Sequence, residues 1–399
     1  MRSILVSEAY SASNIGDAEL VSRTLEYAKG LGSPVRCLAV DPESFARVLD
    51  ADVHIDERLF PRLRLLKAEG SARAGIAARW IAQAALMTFL AAMPVSIARA
   101  LTRRAVDMHL VPHSAVYYLQ AKRVVAVGGG YLGDQYVKES LMTLWTWWWS
   151  GRIGAAVETM PISVEIRAPY LRLAVRFFAR HVTWRVRDSS SAQCLLRCSV
   201  KADTVPDLAF ANYRRPKSKR TSIVLALVGS DYIDLSQVDR LVNGLASAIA
   251  LLGDQRPVVL VTMHSSLSGT SVGGDRVAAE RLKSALSAQG LLNVEIASVS
   301  SFDEVCGLCE SADLVISARM HAGIAALCSG ARVGLLAYEE KHYTLMRDLG
   351  LSDFVIPVTA AQSEIVDLVD RLLKTDERPF TTAASEYRDR LASSGVWNQ

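Results

Sequence analysis

Residues 312–351 read ADLVISARMHAGIAALCSGARVGLLAYEEKHYTLMRDLGL, and the way this run divides decides the fold. Leu314, Val315 and Ile316 form a short apolar stretch of strand character, after which Ala318-Arg319-Met320-His321 opens a helical stretch over residues 322–329. Gly330 stands where a helix that ends in the left-handed conformation calls for glycine, the residue with no Cβ to strain there. A second apolar run, residues 333–337, follows, and after Glu339-Glu340-Lys341 the chain reads as helix again up to Gly350. Strand–helix–strand–helix predicts a parallel sheet whose strand-to-helix loops leave at one carboxyl edge. Arg319, His321 and Lys341 would then gather beside helix N-termini, where backbone N–H groups already favour an anion. Three cationic or titratable groups at that edge predict a site for a ligand that carries a phosphate.

Working outward, 399 residues exceed what one core usually supports, so two domains of about 200 residues each are expected. Half of the residues are hydrophobic and 22% are charged, which permits sizeable cores and argues against global disorder. A net charge of +4 does not suggest nucleic acid but is compatible with an anionic membrane face. Of the six cysteines, Cys306-Gly-Leu-Cys309 has a metal-like spacing with no second pair to complete it. They read as reduced core residues of a cytosolic chain, and no metal or cofactor is expected.

The beginning of the chain does not read as a signal peptide, because its apolar run, Ile4-Leu5-Val6, is too short for one. The loop Ser11 to Glu19 follows that strand and opens a helix over residues 18–29, with Asn14 and Gly16 suited to a tight turn. Asp17 is placed either to cap that helix or to orient and deprotonate a hydroxyl. Residues 80–98 carry no charge over nineteen positions and are flanked by Arg73, Arg79, Arg99, Arg103 and Arg104. A membrane span there would separate the first loop from the later motifs, so two readings stand: a buried helix of the first domain, or an element lying in a bilayer interface with its arginines on headgroups.

A strand over residues 123–127 runs into Gly128-Gly129-Gly130-Tyr131-Leu132-Gly133-Asp134, where glycines would let a sugar or phosphate approach the backbone. Four tryptophans fall within residues 145–149, which suits stacking on a sugar face or seating at a membrane interface better than core packing. A strand over residues 182–186 meets Arg187-Asp188-Ser189-Ser190-Ser191 at a helix start, making Arg187 a second anion ligand. The basic, proline-bearing stretch 213–220 marks the domain boundary. Beyond it come a strand at 222–228, a helix near 236–252 and a strand at 258–262 leading to Met263-His264-Ser265-Ser266. Residues 269–275 read as a mobile loop, Ser301-Phe-Asp-Glu304 as a capping box for a helix over 302–311, and 385–392 as a last helix whose place the sequence does not fix.

Taken in order, these motifs resemble the bacterial polysaccharide pyruvyl transferases. The resemblance rests on Asn14-Ile15-Gly16-Asp17-Ala18, the glycine stretch 128–134, Val186-Arg187-Asp188, Val205-Pro206-Asp207, Arg319-Met320-His321 and Tyr338-Glu339-Glu340-Lys341. It implies an α/β protein with two Rossmann-like domains facing across a cleft, of the glycosyltransferase-B type. Residues 1–212 would be the acceptor side, 221–375 the phosphoenolpyruvate side, and 376–399 a terminal helical segment. It further implies transfer of a pyruvyl group from phosphoenolpyruvate to a sugar as a ketal, with Arg187, His321 and Lys341 engaging the donor. The family's Gly-Gln-x-x-Gly-Pro stretch is replaced here by residues 161–169, PISVEIRAP, a departure on the acceptor side.

Residue chemistry is compatible with that reaction. A phosphate and a carboxylate on one small donor need several cations, which Arg187, Arg319 and Lys341 supply. As an imidazole, His321 is suited to deliver a proton to the donor's methylene carbon or to relay it to the leaving phosphate. Asp17, with Glu165 in reserve, is the candidate base for the acceptor hydroxyl. Asn14, Gly129, Gly130, Asp134, Trp147 and Trp148 are candidate substrate contacts. The acceptor would be a cell-surface polysaccharide or a glycolipid, lipid-linked or not, met by a cytoplasmic enzyme with peripheral contact to the inner membrane face. Two other classes fit the same residues: a nucleotide-sugar glycosyltransferase with Glu339 or Glu340 on a ribose, and a non-catalytic membrane-surface module.

Overall fold

The structure, a computed structural model, describes residues 3–45, 53–60, 70–214, 220–252, 256–264 and 274–397. Residues 215–219 of the expected boundary and residues 269–273 of the expected loop lie outside the described residues, as do 265–268 before it. By their internal contacts the residues fall into two compact units, one of the chain up to Ala12 with Leu20–Asp207, the other of Ser13–Glu19 with Leu208–Trp397. The loop that opens the first helix is thus counted with the second unit.

The first unit is built on six parallel strands in the order His54–Glu57, Val35–Ala39, Ser3–Ala9, Ala121–Ala126, Ala156–Thr159 and Val182–Thr183. All seven residues of Ser3–Ala9 are buried, as a central parallel strand covered on both faces requires. Three of these strands run on into a second, four-stranded parallel sheet ordered Asp203–Thr204, Arg185–Val186, Ile162–Glu165 and Gly129–Gly133. Where two strands pass, a Cβ on Gly128 would lie 2.7 Å from the Pro161 carbonyl oxygen, and one on Gly133 would lie 2.9 Å from that of Glu165. Gly129 has φ of 135°. Strand approach and backbone geometry therefore account for three of these glycines without a ligand.

Residues 80–98 do not form one element. Helix Gly70–Ala91 ends ahead of Pro94, which lacks an N–H to continue it, and helix Val95–Asp107 begins there. Gly70–Ala91 is long and apolar enough to cross a membrane by length and composition, and 22% of its apolar window is buried. The buried-helix reading is thereby corrected: most of this helix faces outward.

The second unit carries another parallel sheet, ordered Val294–Ala297, Val258–Val261, Ser222–Ala226, Ala312–Ser317, Arg332–Ala337 and Val355–Pro357. The strand–helix–strand–helix reading of 312–351 holds, with helices Met320–Cys328 and Glu340–Asp348 after the last two long strands. Gly330 has φ of 72°, the left-handed value expected after a helix end. The capping box is only half formed: Ser301 accepts from the Glu304 N–H at 3.2 Å, but Glu304 accepts from the Ser300 N–H at 2.8 Å instead of Ser301. The last helix, Arg378–Ser393, packs on the turn Leu208–Asn212 and on Met320–Cys328, with the Phe210 and Tyr387 rings 5.1 Å apart. Cys306 and Cys309 are buried free thiols, Cys306 being pushed up to about 12 by burial, so they serve as apolar packing.

Candidate functional site

Strand order in the sheet of the second unit changes direction between Ser222–Ala226 and Ala312–Ser317, so the loops after those two strands diverge and leave a crevice at their carboxyl ends. Arg319 leaves the second of these strands. Its guanidinium is buried and paired with Asp275, the first residue of helix Asp275–Ala288, with Nε donating to Oδ2 at 3.0 Å. Asp275 also accepts from the backbone N–H of Gly229 at 3.2 Å and of Met263 at 3.1 Å, so it ties three loops together. Tyr232, on the loop after Ser222–Ala226, lies under the guanidinium at 4.1 Å. Burial works against the Arg319 charge, but Asp275 and the surrounding groups more than offset it and hold the guanidinium above its ordinary value.

The segment Ser13–Glu19 closes over this edge. Ile15 donates its N–H to the Met263 carbonyl at 3.0 Å, and Asn14 forms an antiparallel bridge with His264. The Asn14 side chain accepts from the Gly16 N–H at 3.0 Å and so caps helix Ile15–Gly30. Capping is therefore done by Asn14, not Asp17. Asp17 lies in the first turn, where its charge is felt by Tyr232, His264 and Tyr338. Gly16 rests against His321: a Cβ there would lie 2.1 Å from the imidazole Nδ1. Glycine is what lets the ring seat against this backbone.

Lys341, at the start of helix Glu340–Asp348, pairs with Glu339 and lies 5.7 Å from the Tyr338 ring centre. Tyr338 in turn lies 5.9 Å from Tyr232, which links the Lys341 loop to the Arg319 loop. His342 is buried between the Glu339 and Ala318 carbonyls at 3.1 and 3.2 Å, and as a neutral ring it donates to one of them at a time. Burial, with Lys341 beside it, pushes His342 down to about 3. His264 is also pushed below its ordinary value, by burial and then by Arg319.

The remaining candidates belong to the first unit. Arg187 is buried, its Nε donating to Ser163 at 2.7 Å and its Nη1 to Asp207 at 2.8 Å, so two of the quoted motifs meet in one ion pair. Asp188 caps helix Ser189–Arg197 by accepting from the Ser191 N–H at 2.7 Å. Asp134 accepts from the Arg167 N–H at 2.7 Å and the Ala168 N–H at 3.2 Å, holding the turn before helix Pro169–Phe178. Glu165 pairs with Arg167 at 3.0 Å, and Gly130 lies exposed on its strand. Trp147 is buried edge-on to Trp184 at 5.4 Å, which leaves no ring face for a sugar and corrects the stacking expectation for that residue. Trp148 keeps partial exposure beside Phe178.

Asn14, Asp17, Arg319, His321 and Lys341 are thus gathered at one sheet edge in the second unit, together with Tyr232, His264, Asp275 and Tyr338, which sequence reasoning did not assign. His264 had a readable signal, its place at the end of a parallel strand. Asp275 had none. In the first unit Glu8 was also missed: it is buried at φ of 66°, beside the irregularity that ends Ser3–Ala9, and pairs with Arg58 at 3.2 Å.

Comparison with known proteins agrees with this fold. No curated protein sequence matches the chain. Among solved structures, UDP-GlcNAc 2-epimerase of Methanocaldococcus jannaschii, in complex with UDP-GlcNAc and UDP, is 10% identical with a TM-score of 0.54, covering 99% of this chain and 100% of its own. Sucrose-phosphate synthase from Thermosynechococcus elongatus is 12% identical with a TM-score of 0.54, covering 98% and 94%. A glycosyltransferase from Rickettsia africae ESF-5 is 12% identical with a TM-score of 0.52, covering 98% and 94%. At such identities the likeness is one of fold, an α/β fold of the glycosyltransferase-B kind. The family model described as polysaccharide pyruvyl transferase matches residues 14–340, which span the motifs quoted above except Lys341, one residue past the match. The chain belongs to the polysaccharide pyruvyl transferase family.

Proposed function

We propose that the chain transfers the pyruvyl unit of phosphoenolpyruvate to two hydroxyls of one sugar as a cyclic ketal, releasing phosphate. The observation that carries this reading is the seating of His321 against Gly16 at the edge that also holds Asp17, Arg319 and Lys341. His321 gives a proton to the methylene carbon, which leaves the neighbouring carbon electrophilic. One sugar hydroxyl attacks that carbon, Asp17 taking its proton, and the C–O bond to phosphate breaks. The second hydroxyl then closes the ring. Of the two hydroxyl protons, one ends on the new methyl group and the other on phosphate.

Charge on the donor is met unevenly. Arg319 is already matched by Asp275, so it contributes a fixed dipole more than a net charge. Lys341 is half-buried, and the donor draws it away from Glu339. The N-termini of helices Met320–Cys328 and Glu340–Asp348 add backbone donors. This reading puts the enzyme in the cytoplasm, with a cell-surface polysaccharide or glycolipid as its product's destination. The nucleotide-sugar reading would use Glu339 or Glu340 on a ribose, and the pairing of Glu339 with Lys341 speaks against the former.

The test is to offer phosphoenolpyruvate with a panel of aryl glycosides and to follow phosphate together with a pyruvate-ketal product by mass. His321→Ala should bind phosphoenolpyruvate and release almost no phosphate. Wild-type turnover by that variant removes His321 from the mechanism. A melting temperature raised by UDP-sugars and not by phosphoenolpyruvate would overturn the donor assignment.

A further inference from the structure

The first unit presents a surface that its own packing leaves uncovered. Helices Gly70–Ala91, Val137–Arg152 and Pro169–Phe178 lie side by side. Trp145 Nε1 donates to Thr88 Oγ1 at 2.9 Å on one flank of the middle helix, and Trp148 lies edge-on to Phe178 at 5.8 Å on the other. The middle helix divides its indoles, with Trp147 and Trp149 buried and Trp145 and Trp148 half-buried on the outward side. Its neighbours turn large apolar residues outward: Ile81 is 71% exposed, Phe89 65%, Leu173 67% and Phe177 57%. In Pro169–Phe178 the core positions are Leu171, Ala174 and Val175, so Leu173 and Phe177 form a second apolar stripe on the far side. Apolar patches of this extent mark a surface that something covers.

Charge indicates what that is. Neither Gly70–Ala91 nor Pro169–Phe178 contains a carboxylate, whereas they carry Arg73, Arg79, Arg172 and Arg176. The middle helix has one, Glu139, in its first turn. A second copy laid on this face would set arginine against arginine with Glu139 as the one carboxylate of the three helices to meet them. A bilayer with anionic headgroups satisfies both halves of the pattern: apolar side chains enter the acyl boundary, indoles sit at headgroup level, and arginines reach phosphates. We propose that the first unit rests on an anionic lipid leaflet through this three-helix face, with Gly70–Ala91 lying in the plane of the surface. In that position its contacts with the unit survive, including buried Met87 and Leu90 and the bond from Arg152 Nε to the Ala91 carbonyl at 3.0 Å. The inference does not depend on the transfer reaction.

The test is co-sedimentation of the full chain with vesicles of phosphatidylcholine alone or mixed with phosphatidylglycerol, at low and high salt. Wild type should pellet with the mixed vesicles and bind about tenfold more weakly without the anionic lipid or at high salt. The double variant Leu173→Gln with Phe177→Gln should keep its melting temperature, since both side chains are mostly exposed, yet bind about tenfold more weakly. Arg176→Glu should weaken binding to the anionic vesicles alone. Wild type left in the supernatant, or a double variant that pellets as well as wild type, overturns the proposal. So does bound protein that resists alkaline carbonate, as a spanning helix would, or a wild-type dimer that the double variant makes monomeric.

Discussion

Replacing Gly16 by alanine tests the site through a residue that carries no reactive group. The new Cβ would lie 2.1 Å from Nδ1, 2.4 Å from Cγ and 2.8 Å from Cβ of His321. Because the root of the side chain is struck as well as the ring, flipping the imidazole relieves nothing. The ring must retreat by about 1 Å or leave its rotamer, and a misplacement of that size costs about a hundredfold in rate. The same overpacking costs about 1–3 kcal/mol of stability, which leaves a folded protein to assay. Steady-state phosphate release with phosphoenolpyruvate and an accepting glycoside should therefore show kcat down about a hundredfold, with the urea midpoint only modestly lowered. If the loss runs through His321, Gly16→Ala combined with His321→Ala should be no slower than His321→Ala alone. Wild-type kcat in Gly16→Ala, or losses that multiply in the double variant, would refute the reasoning.

Four other outcomes are expected. Asp275→Ala leaves Arg319 buried without its carboxylate and should cost about 3–5 kcal/mol in urea unfolding, a loss that an exposed ion pair such as Arg276–Glu280 would not show. His342 titrates at about 3 in the fold against an ordinary value near 6.5. Being a depressed base, it favours the folded state fully above pH 6.5, and stability is lost as pH falls toward 3, by roughly 1.4 kcal/mol per unit. His342→Gln should flatten that part of the pH–stability curve, and an unchanged slope would contradict it. Lys341→Ala, at a half-buried position, should weaken phosphoenolpyruvate binding by calorimetry with little change in stability. Arg187→Ala should lose stability as well, since it removes the buried ion pair with Asp207.

What the sequence made legible follows from range of interaction. Strands of a parallel sheet are buried on both faces, so Ile4-Leu5-Val6, Val124-Val125 and Val258-Val259-Leu260-Val261 stand out as apolar runs, and Gly330 announces a helix end within four residues of it. Partners set by strand order do not stand out. Arg187 and Asp207 lie 20 residues apart and Arg319 and Asp275 lie 44 apart, so both arginines read as open cations when each is already matched. The tryptophan cluster misled for a different reason. At 100° per residue one helical face cannot hold Trp145, Trp147, Trp148 and Trp149 together, and the spacing alone shows that some of them must point inward. The glycines at 128 and 133 looked like room for a ligand because the strand that crowds them comes some thirty residues later.

The seven residues Ser13–Glu19 are made among the first and find their contacts among the last. Met263 and His264, which hold Ile15 and Asn14, are synthesised about 250 residues afterwards, a delay on the order of ten to fifty seconds at ribosomal rates. Throughout that interval the start of the first helix has its Asn14 cap alone, and its bonds to Met263 and His264 form only once those residues exist. A fragment beginning at residue 208 would meet the converse problem, lacking the backbone against which His321 is seated.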